Sequence, residues 1–311
     1  MYEGSIPSRV SYKNVCLAEL DLAPQDKTVY MGSIPIRISK MKRPALILVF
    51  LTLLASVVFV SKAGAQAFDF NKSYQDYQYS LGVYQTAYTA YVGSRDFYQK
   101  NPTLTLKEDA RQKTLTMLRS RDQLTAVYLT MLRMKLVETK GLSGDDKNNI
   151  FGKIDPEVKW YQDHFSDFQD GDPLESLFSK SDESRSRYKT NTLPIIYEAV
   201  FDISLGTELG MQEDMYSIYS SLKDIVNTRV VSGDLDINLF NRWFTDIDTV
   251  IATLNQNEGQ GKTQIAKIYG QYYSIVGFFN TSADTLASSL SSLSQLNRFL
   301  TEVLTSLKNQ L

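Results

Sequence analysis

The sequence predicts an all-α protein: an antiparallel bundle of about seven or eight helices, preceded by a signal-peptide helix. Apolar residues recur three and four positions apart over most of residues 68–311, as on helices that bury one face. Short groups of Gly, Pro, Asn, Asp and Ser separate these stretches. A chain of this length can also bury a core without disulfide bonds. We expect one helical domain, with two related halves over residues 68–180 and 190–311 as the alternative.

Residues 1–40 have mixed polarity and no helical or strand period, which predicts a non-structural leader. The hexapeptide Gly4–Arg9 (GSIPSR) returns as Gly32–Arg37 (GSIPIR), 28 codons later. Gly-Ser-Ile-Pro is what the T-arm of a transfer-RNA gene (GGTTCGATTCC) encodes in this frame, and 28 codons is close to the length of one such gene. We therefore interpret Met1 as a mis-called start and Met41 as the true one. A chance or genuine repeat in an unstructured tail is the alternative, and the genomic sequence upstream of codon 41 decides between them.

Residues 41–67 have the order of parts that a bacterial signal peptide has. Lys42 and Arg43 form a basic segment, and Ala45–Val60 is an apolar run of 16 residues. A secretory signal places these parts in this order before its cleavage site. The segment therefore predicts export to the cell envelope or the medium.

The predicted cleavage site follows the apolar run. Ala65 and Ala67 give the small-x-small form that signal peptidase recognises, so Phe68 would be the first residue of the mature chain. An anchor over residues 44–60 that is not cleaved is the less favoured alternative, because a membrane-spanning helix needs about 20 apolar residues.

Cysteine and charge narrow the classes of function. Cys16 is the only cysteine, so residues 68–311 can form no disulfide bond and no thiolate metal site. The whole chain has 33 Lys and Arg residues and 35 Asp and Glu residues, and residues 1–67 contain eight of the former and four of the latter. This leaves 25 Lys and Arg against 31 Asp and Glu, a net charge of −6. Such an acidic balance argues against nucleic acid or anionic lipid as a general partner.

The first helix is predicted from Phe68 to about Asn101, where Pro102 ends it. One stripe on it has alternating spacings of three and four and contains six tyrosines: Tyr74, Tyr77, Leu81, Tyr84, Tyr88, Tyr91, Arg95 and Tyr98. This heptad spacing predicts a seam between helices. The edges of the seam should stay wet, because each buried tyrosine hydroxyl needs a partner.

The second helix is predicted to begin at a capping box, Thr105 with Glu108, and to reach about Lys140. Its second half, Leu124–Val137, is apolar on most faces, which predicts the most buried helix of the bundle.

The third helix is predicted to be capped in the stretch Ser143–Asp146, and Pro156 should kink or interrupt it. Residues 170–173 form a turn before a short helix. The very polar stretch 179–187 is either a solvated helix face or the linker between two halves.

Glycine and proline mark the middle of the chain. Thr192 is predicted to cap the next helix, with Pro194 in its first turn. Gly206 and Gly210 would bend or split that helix. Residues 232–234 should turn into the following one.

The last part of the chain is predicted to contain a loop at 255–261, a helix that breaks at 280–283, and a final helix from Asp284 to Leu311. A heptad stripe again defines the final helix: Leu286, Leu290, Leu293, Asn297, Leu300, Leu304, Leu307 and Leu311. A single buried Asn297 would fix the register of this coiled-coil seam.

An internal repeat is a further hypothesis. At an offset of 89 residues, the corner Ser143-Gly144-Asp145 returns as Ser232-Gly233-Asp234, together with several neighbouring residues. A true repeat requires the two corners to superpose. The alternative is that similar corners use similar residues.

His164, the only histidine, could pair with a carboxylate and act as a general base. No cysteine nucleophile, Gly-x-Ser-x-Gly elbow or second histidine accompanies it in residues 68–311. A surface or structural histidine is therefore the favoured interpretation.

An acidic cluster and a glycine-lysine pair are the other local candidates. The cluster contains Asp163, Asp167, Asp170 and Asp172. A calcium loop that began at Asp163 would need Glu at the twelfth position, which is Leu174, so a solvated turn is favoured. Gly261-Lys262-Thr263 has the ending of a phosphate-binding loop, but Gln256 stands where that loop needs glycine.

The sequence predicts no catalytic, cofactor-binding or metal-binding residue. Trp160, Trp243 and the tyrosine stripe could stack on sugars, but core positions are favoured. The expected function is therefore a non-catalytic structural or binding component of the bacterial envelope. Its expected partners are another envelope protein or a second copy bound through the heptad helices. The alternative is an extracytoplasmic cell-wall hydrolase that acts through Glu198 or Glu208.

Overall fold

A computed structural model describes residues 69–310. The leader, the signal segment and the predicted cleavage residues Ala65, Ala67 and Phe68 lie outside the described residues, as does Leu311. Helix makes up 88% of residues 69–310, and this part contains no strand, which confirms the predicted all-α class. From Asp69 onward the chain forms one compact unit.

Seven α-helices occupy most of the described chain: α1 (Phe70–Lys100), α2 (Leu104–Glu138), α3 (Gly144–Asp167), α4 (Leu174–Arg187), α5 (Leu193–Val231), α6 (Asn238–Ile265) and α7 (Ile275–Asn309). A π-helical turn, Tyr188–Thr192, joins α4 to α5 without a break, and a 3₁₀ turn, Ala266–Ile268, ends α6. Counting α4 and α5 as one continuous helix, residues 69–310 hold six helices, fewer than predicted. The difference arises because the predicted short helix after residue 173 continues through 179–187 and the π-helical turn into α5, and because residues 280–283 continue α7 instead of separating two helices.

α1 and α2 form an antiparallel pair. Asp69 caps α1 by accepting a hydrogen bond from the Lys72 amide (2.9 Å). α2 is capped by Thr103, whose hydroxyl accepts from the Leu106 amide (3.3 Å), and not by the predicted Thr105. α2 has more buried residues than any other described helix, as its apolar second half predicts.

The buried stripe of α1 differs in part from the predicted one. Its members alternate between a small residue and tyrosine: Ser73, Tyr77, Ser80, Tyr84, Ala87, Tyr91 and Ser94. Tyr77, Tyr84 and Tyr91 are buried as predicted. The other predicted positions lie beside the seam: Tyr74, Leu81, Tyr88, Arg95 and Tyr98. Small residues at the alternate positions let the two helices approach closely, and the tyrosine rings fill the space between them. Tyr77, for example, packs on Tyr128 with ring centroids 5.3 Å apart.

α3 begins where the sequence predicts. The Ser143 hydroxyl accepts from the Asp146 amide (3.0 Å), which confirms the predicted cap. Pro156 lies inside α3, which continues past it to Asp167 without interruption.

Glycines bring the corner between α2 and α3 against α5. A Cβ atom added to Gly141 would lie 2.2 Å from the Gly206 carbonyl oxygen and 2.3 Å from the Gly210 nitrogen. Gly206 and Gly210 therefore do not split α5. Gly141 and Gly206 allow this close approach, because a Cβ atom on either would clash, whereas one on Gly210 would make only ordinary contact at 3.7 Å.

α5, α6 and α7 form the C-terminal part of the fold. Tyr197 near the start of α5 packs on Phe279 near the start of α7, with ring centroids 4.7 Å apart, so these helices run parallel. α6 runs antiparallel to both, and the Tyr219 hydroxyl of α5 donates to Asp248 of α6 (2.9 Å). Their shared core contains Leu222, Val226, Phe240, Phe244, Ile247, Leu254, Leu296, Leu300 and Val303.

Two predicted breaks in this region are wrong. Residues 255–261 continue α6 instead of forming a loop, and a Cβ atom added to Gly261 would lie 3.1 Å from the Phe201 ring. The chain turns at 269–274, where Gly270 has φ 73°, and residues 280–283 belong to α7. A left-handed glycine is a stronger helix terminator than the Asn-Thr-Ser-Ala stretch, which can stay helical.

The buried seam of α7 also differs from the predicted one. Leu286, Leu293, Leu300 and Leu307 are buried as predicted, but Leu296 and Val303 occupy the alternate positions. Asn297 is exposed, so the prediction that it fixes the register is wrong. Exposing the amide avoids burying an unpaired polar group.

The two corners of the suggested repeat have different conformations. Ser143 caps the start of α3, and Gly144 is the first residue of that helix. Ser232 instead caps the end of α5, and Gly233 has φ 82°. The corners therefore do not superpose, which favours the similar use of turn residues over a true repeat.

Candidate functional site

A buried polar network joins α2, α3, α4 and the π-helical turn. Its members are Arg121, Asp122, Glu157, Tyr161, His164, Ser181, Ser184, Arg187 and Thr192, and we call them the interhelical network. Most of these side chains are buried, which is unusual for ionisable residues unless they are paired.

Asp122 is the centre of the network and is fully buried. Its carboxylate accepts from His164 Nδ1 (2.5 Å) and from the Ser184 hydroxyl (3.1 Å). Arg121 Nε lies 3.5 Å from the same carboxylate and offsets its charge. Asp122 thus binds α2 to both α3 and α4 through charge-assisted contacts.

The His164 ring is held between two aromatic side chains. Trp160 stacks on it at 4.6 Å between centroids, and Phe168 meets it edge-on at 5.0 Å. The Nδ1 of His164 faces Asp122, and its Nε2 is buried with no hydrogen-bond partner among residues 69–310. The sequence allowed for either a surface or a structural histidine, and the structure places His164 in the interior.

Glu157 connects α3 to the π-helical turn. Arg187 donates to both of its carboxylate oxygens (2.6 and 3.2 Å), and the Thr192 hydroxyl donates to one of them (2.9 Å). The Tyr161 hydroxyl lies 3.0 Å from the Thr192 hydroxyl, and burial raises the pKa of Tyr161. Thr192 therefore holds the turn to α3 and does not cap α5, contrary to the prediction.

The interhelical network has some of the residue types of a hydrolytic triad without its connections. In a nucleophilic triad the serine bonds to the histidine, which removes the serine proton. Here Ser184 donates to Asp122, so the imidazole does not act on that hydroxyl. The arrangement is suited to holding three helices in one geometry.

A second group of ionisable residues lies along α5: Glu198, Asp202 and Glu208, which we call the α5 carboxylate row. Lys153 donates to both oxygens of Glu198 (2.7 and 2.8 Å), and Tyr269 donates to it as well. Burial, together with the nearby negative charge of Glu198, raises the pKa of Asp202 to about 7.

Glu208 is the most buried member of the row, with 1% of its surface exposed. Gln212 donates to its Oε1 (3.1 Å), and the buried Ser289 hydroxyl of α7 faces the same carboxylate. Burial raises the pKa of Glu208 to about 7, and the negative charge of Glu258 contributes in the same direction.

The acidic turn is neutralised by neighbouring cations. Lys180 pairs with Asp172 (2.7 Å), and Arg119 pairs with Asp170 (2.9 Å). Lys180 also lowers the pKa of Asp172 through their hydrogen bond. In residues 69–310, no group of three or more His, Cys, Asp or Glu side chains is arranged to hold a metal ion.

The remaining sequence candidates have structural neighbours. Residues 261–263 lie within α6 and not in a loop before a helix, so they cannot cradle a phosphate. Trp243 packs against the C-terminal core and donates from its indole nitrogen to Glu302 (3.1 Å). Trp160 stacks on His164, and Arg187 lies 5.0 Å above its ring.

Sequence reasoning missed Asp122, Glu157 and Ser184. Arg121-Asp122 stands directly before the apolar half of α2, so a charged pair in a buried helix was the available signal. Their partners lie about 30 to 60 residues away, and the spacing of one sequence does not reveal such pairs.

The fold and its polar groups define an all-α protein in which many ionisable side chains cross-link helices. Comparison with protein families, curated proteins and solved structures gives no significant match to this chain. Within the described helices, none combines the length and the apolar character needed to span a membrane.

Proposed function

We propose that the chain is an exported, non-catalytic helical protein of the bacterial cell envelope that acts as a structural or binding component. The signal-like segment at residues 41–67 supports the location. The outward face of α1 supports binding through a helical surface, and it is the observation on which the proposal depends.

α1 makes extensive contact with only one other described helix, α2. From Tyr77 to Ser94 it has no charged residue, although much of this stretch faces outward. Tyr79 and Phe97 are 76% and 63% exposed. A long helix with one neighbour normally has charged residues on its open side, so an uncharged face is typical of a surface that binds another molecule.

Export can be tested by expressing the chain in a bacterium and sequencing the N-terminus of the extracytoplasmic product. Cleavage after Ala67 predicts a product that begins at Phe68. Ala67→Arg should block processing, because the site requires a small residue, whereas Gln66→Arg is the matched control. A chain that stays in the cytoplasm with Met41 intact would reject the location.

A cell-wall hydrolase is the second candidate, and one observation favours it. Asp202 and Glu198 lie one helical turn apart, and Asp202 has a pKa near 7. A protonated carboxyl beside one held by a lysine is the arrangement in which one acts as acid and the other as base. Release of soluble fragments from purified peptidoglycan that Asp202→Asn abolishes and Asp214→Asn preserves would support it. No release by the native chain would reject it.

A further inference from the structure

The outward face of α1 is lined by small residues in its middle and by large apolar residues towards its ends. Gly82, Thr86 and Ala90 are exposed near the centre of the uncharged stretch. Tyr79 and Phe97 flank them at the two ends, 18 residues apart. This separation corresponds to about 27 Å along the helix axis.

The glycines on this face have no explanation within the described chain. Around Gly82 and Gly93, a Cβ atom would meet nothing within 4 Å. Glycine in a helix interior is destabilising relative to alanine. Gly141 and Gly206 differ, because each meets another part of the backbone or a side chain directly. Gly152, Gly259 and Gly277 in other helices are as open as Gly82 and Gly93, so openness alone does not indicate a contact. Gly82 and Gly93 differ from them because both lie in the uncharged stretch of α1, beside exposed apolar side chains.

The face is complementary to itself when reversed. Suppose that two copies of α1 lie antiparallel and cross at residue 88. A residue a given number of positions before residue 88 in one copy then comes level with the residue the same number of positions after residue 88 in the other. Tyr79 then meets Phe97, and the side chain of Val83, 42% exposed, comes level with Gly93 of the other copy. Thr86 comes level with Ala90.

Charge follows the same symmetry. Asp76 and Lys100 are the charged residues that come level at the two ends of this antiparallel pair. Between them, the stretch Tyr77–Ser94 is uncharged. Arg95 and Asp96 pair with each other (3.1 Å) and come level with Leu81 and Ser80 of the other copy, so no like charges come level. A parallel pair would instead place Asp76 against Asp76 and Val83 against Val83, and would leave the glycines opposite each other.

We propose that the outward face of α1 binds the same face of a second copy of this chain, antiparallel and about a two-fold axis near residue 88. A two-fold axis makes each contact occur twice, which an antiparallel self-complementary helix satisfies. The inference rests on the proposed function, because it names the partner of the surface on which that function depends.

The dimer is expected to be weak. The two copies of α1 overlap from residue 76 to residue 100, about 36 Å, and the face is one helix wide, about 10 Å, so the pair buries on the order of 700 Å² in total. Stable interfaces usually bury about 1,200–2,000 Å², so the association should depend on concentration in the micromolar range.

Cross-linking in cells tests both the contact and its direction. Two differently tagged copies of the whole chain are co-expressed with Cys16→Ser, which removes the native cysteine. One copy has Tyr79→Cys, the other has Phe97→Cys, and a short bifunctional maleimide is added. We expect a product that joins the two tags, and no product when both copies have Tyr79→Cys, because those positions would be about 27 Å apart along the axis.

A second pair of variants places the contact on this face. Thr86→Arg with Ala90→Arg sets four arginines against one another at the crossing and should remove at least nine-tenths of the cross-linked product. Thr249→Arg with Thr253→Arg is the matched control, because these residues are exposed one turn apart on α6. Mixing the arginine copy with a Thr86→Glu, Ala90→Glu copy should restore the product.

The outcomes separate the two proposals. If the cross-link between positions 79 and 97 forms on chain that stays in the cytoplasm, the dimer is supported and export is rejected. If the chain is processed but this cross-link does not form, export is supported and the dimer is rejected. A product from two Tyr79→Cys copies, or a 79–97 product no stronger than one from cysteines at the α6 control positions, overturns the antiparallel pair.

Discussion

At the residue scale, Asp122 shows why an ionised side chain can lie in the core of this protein. Desolvation disfavours the buried carboxylate, and His164, Ser184 and Arg121 supply the contacts that offset this cost. Each partner lies on an adjacent residue or on another helix. The Asp122 carboxylate therefore helps to specify that α2 packs against α3 and α4, in addition to stabilising that packing.

Asp122→Ala should destabilise the fold by about 3 kcal/mol, because it leaves the His164 and Ser184 donors and the Arg121 charge buried without their acceptor. Urea unfolding monitored by circular dichroism measures the change. Asp163→Ala is the control, since Asp163 is an exposed partner of Lys159 and its loss should cost less than 0.5 kcal/mol. Equal effects of the two substitutions would contradict a central role for Asp122.

Glu208 should make stability depend on pH in the direction opposite to that of an ordinary surface carboxylate. Its folded pKa, about 7, lies above the unfolded value of 4.5, so the folded state holds its proton more tightly. The protonated Glu208 makes its full contribution to the free energy of unfolding below pH 4.5, and this contribution is lost as the pH rises through 7. The loss is about 3 kcal/mol.

Glu208→Gln removes this titration, and Gln212, Ser289 and the Glu258–Lys262 pair remain around it. We expect the stability difference between the variant and the native chain to favour the variant increasingly from pH 5 to pH 8. Urea midpoints measured across that range test it. Parallel pH profiles for the two proteins would show that Glu208 ionises normally.

At the element scale, helix caps and helix faces were each predicted only in part: the cap of α3 is confirmed, whereas the predicted cap hydroxyls of α2 and α5 are wrong. Ser143 caps α3 as predicted because one hydroxyl and one amide three residues away decide the outcome locally. The seams of α1 and α7 required knowledge of the neighbouring helix. On α7 two leucine stripes lie side by side, and the one containing Leu296 is buried because α5 and α6 pack on that side.

Breaks between helices were the least predictable elements. The stretch 255–261 is polar and rich in glycine, yet it stays helical because Gly261 lets Phe201 of α5 pack onto α6. The interhelical network was equally hidden, because Asp122 and Ser184 are 62 residues apart in the chain. Tertiary contacts decide both features, and local patterns do not encode them.

The seam of α7 can be tested by paired truncations. Leu296→Ala should cost about 3 kcal/mol, because Leu296 is fully buried and its loss leaves a cavity. Leu304→Ala should change stability by less than 0.5 kcal/mol, since Leu304 is 55% exposed. Urea unfolding of both variants measures the two changes in the free energy of unfolding. The reverse ranking would place the seam on the stripe that contains Asn297.

At the scale of the whole molecule, the continuous helix formed by α4, the π-helical turn and α5 connects two kinds of core. Its first part carries Ser184 and Arg187 of the interhelical network. Its last part carries Leu222 and Val226 of the C-terminal core. A single helix shared by both cores should make them unfold together.

The two tryptophans allow this cooperativity to be measured. Trp160 lies on His164 in the first part, and Trp243 packs on the C-terminal core. In Trp243→Phe the fluorescence reports only the first part, and in Trp160→Phe only the second. We expect each variant's fluorescence transition to coincide with its own circular dichroism transition in urea. Separated transitions in either variant would show that the two parts unfold independently.

The π-helical turn at Tyr188–Thr192 has a consequence for changes in chain length. In this turn the Leu193 amide bonds to the Tyr188 carbonyl, five residues earlier, so the turn holds one residue more than a regular α-helical turn. Each residue of a helix corresponds to about 100° of rotation. Loss of a single codon here would restore regular helix and turn Glu208 and Leu222 away from α6 and α7. One-codon deletions should therefore be far more harmful in this segment than in the turn at 269–274.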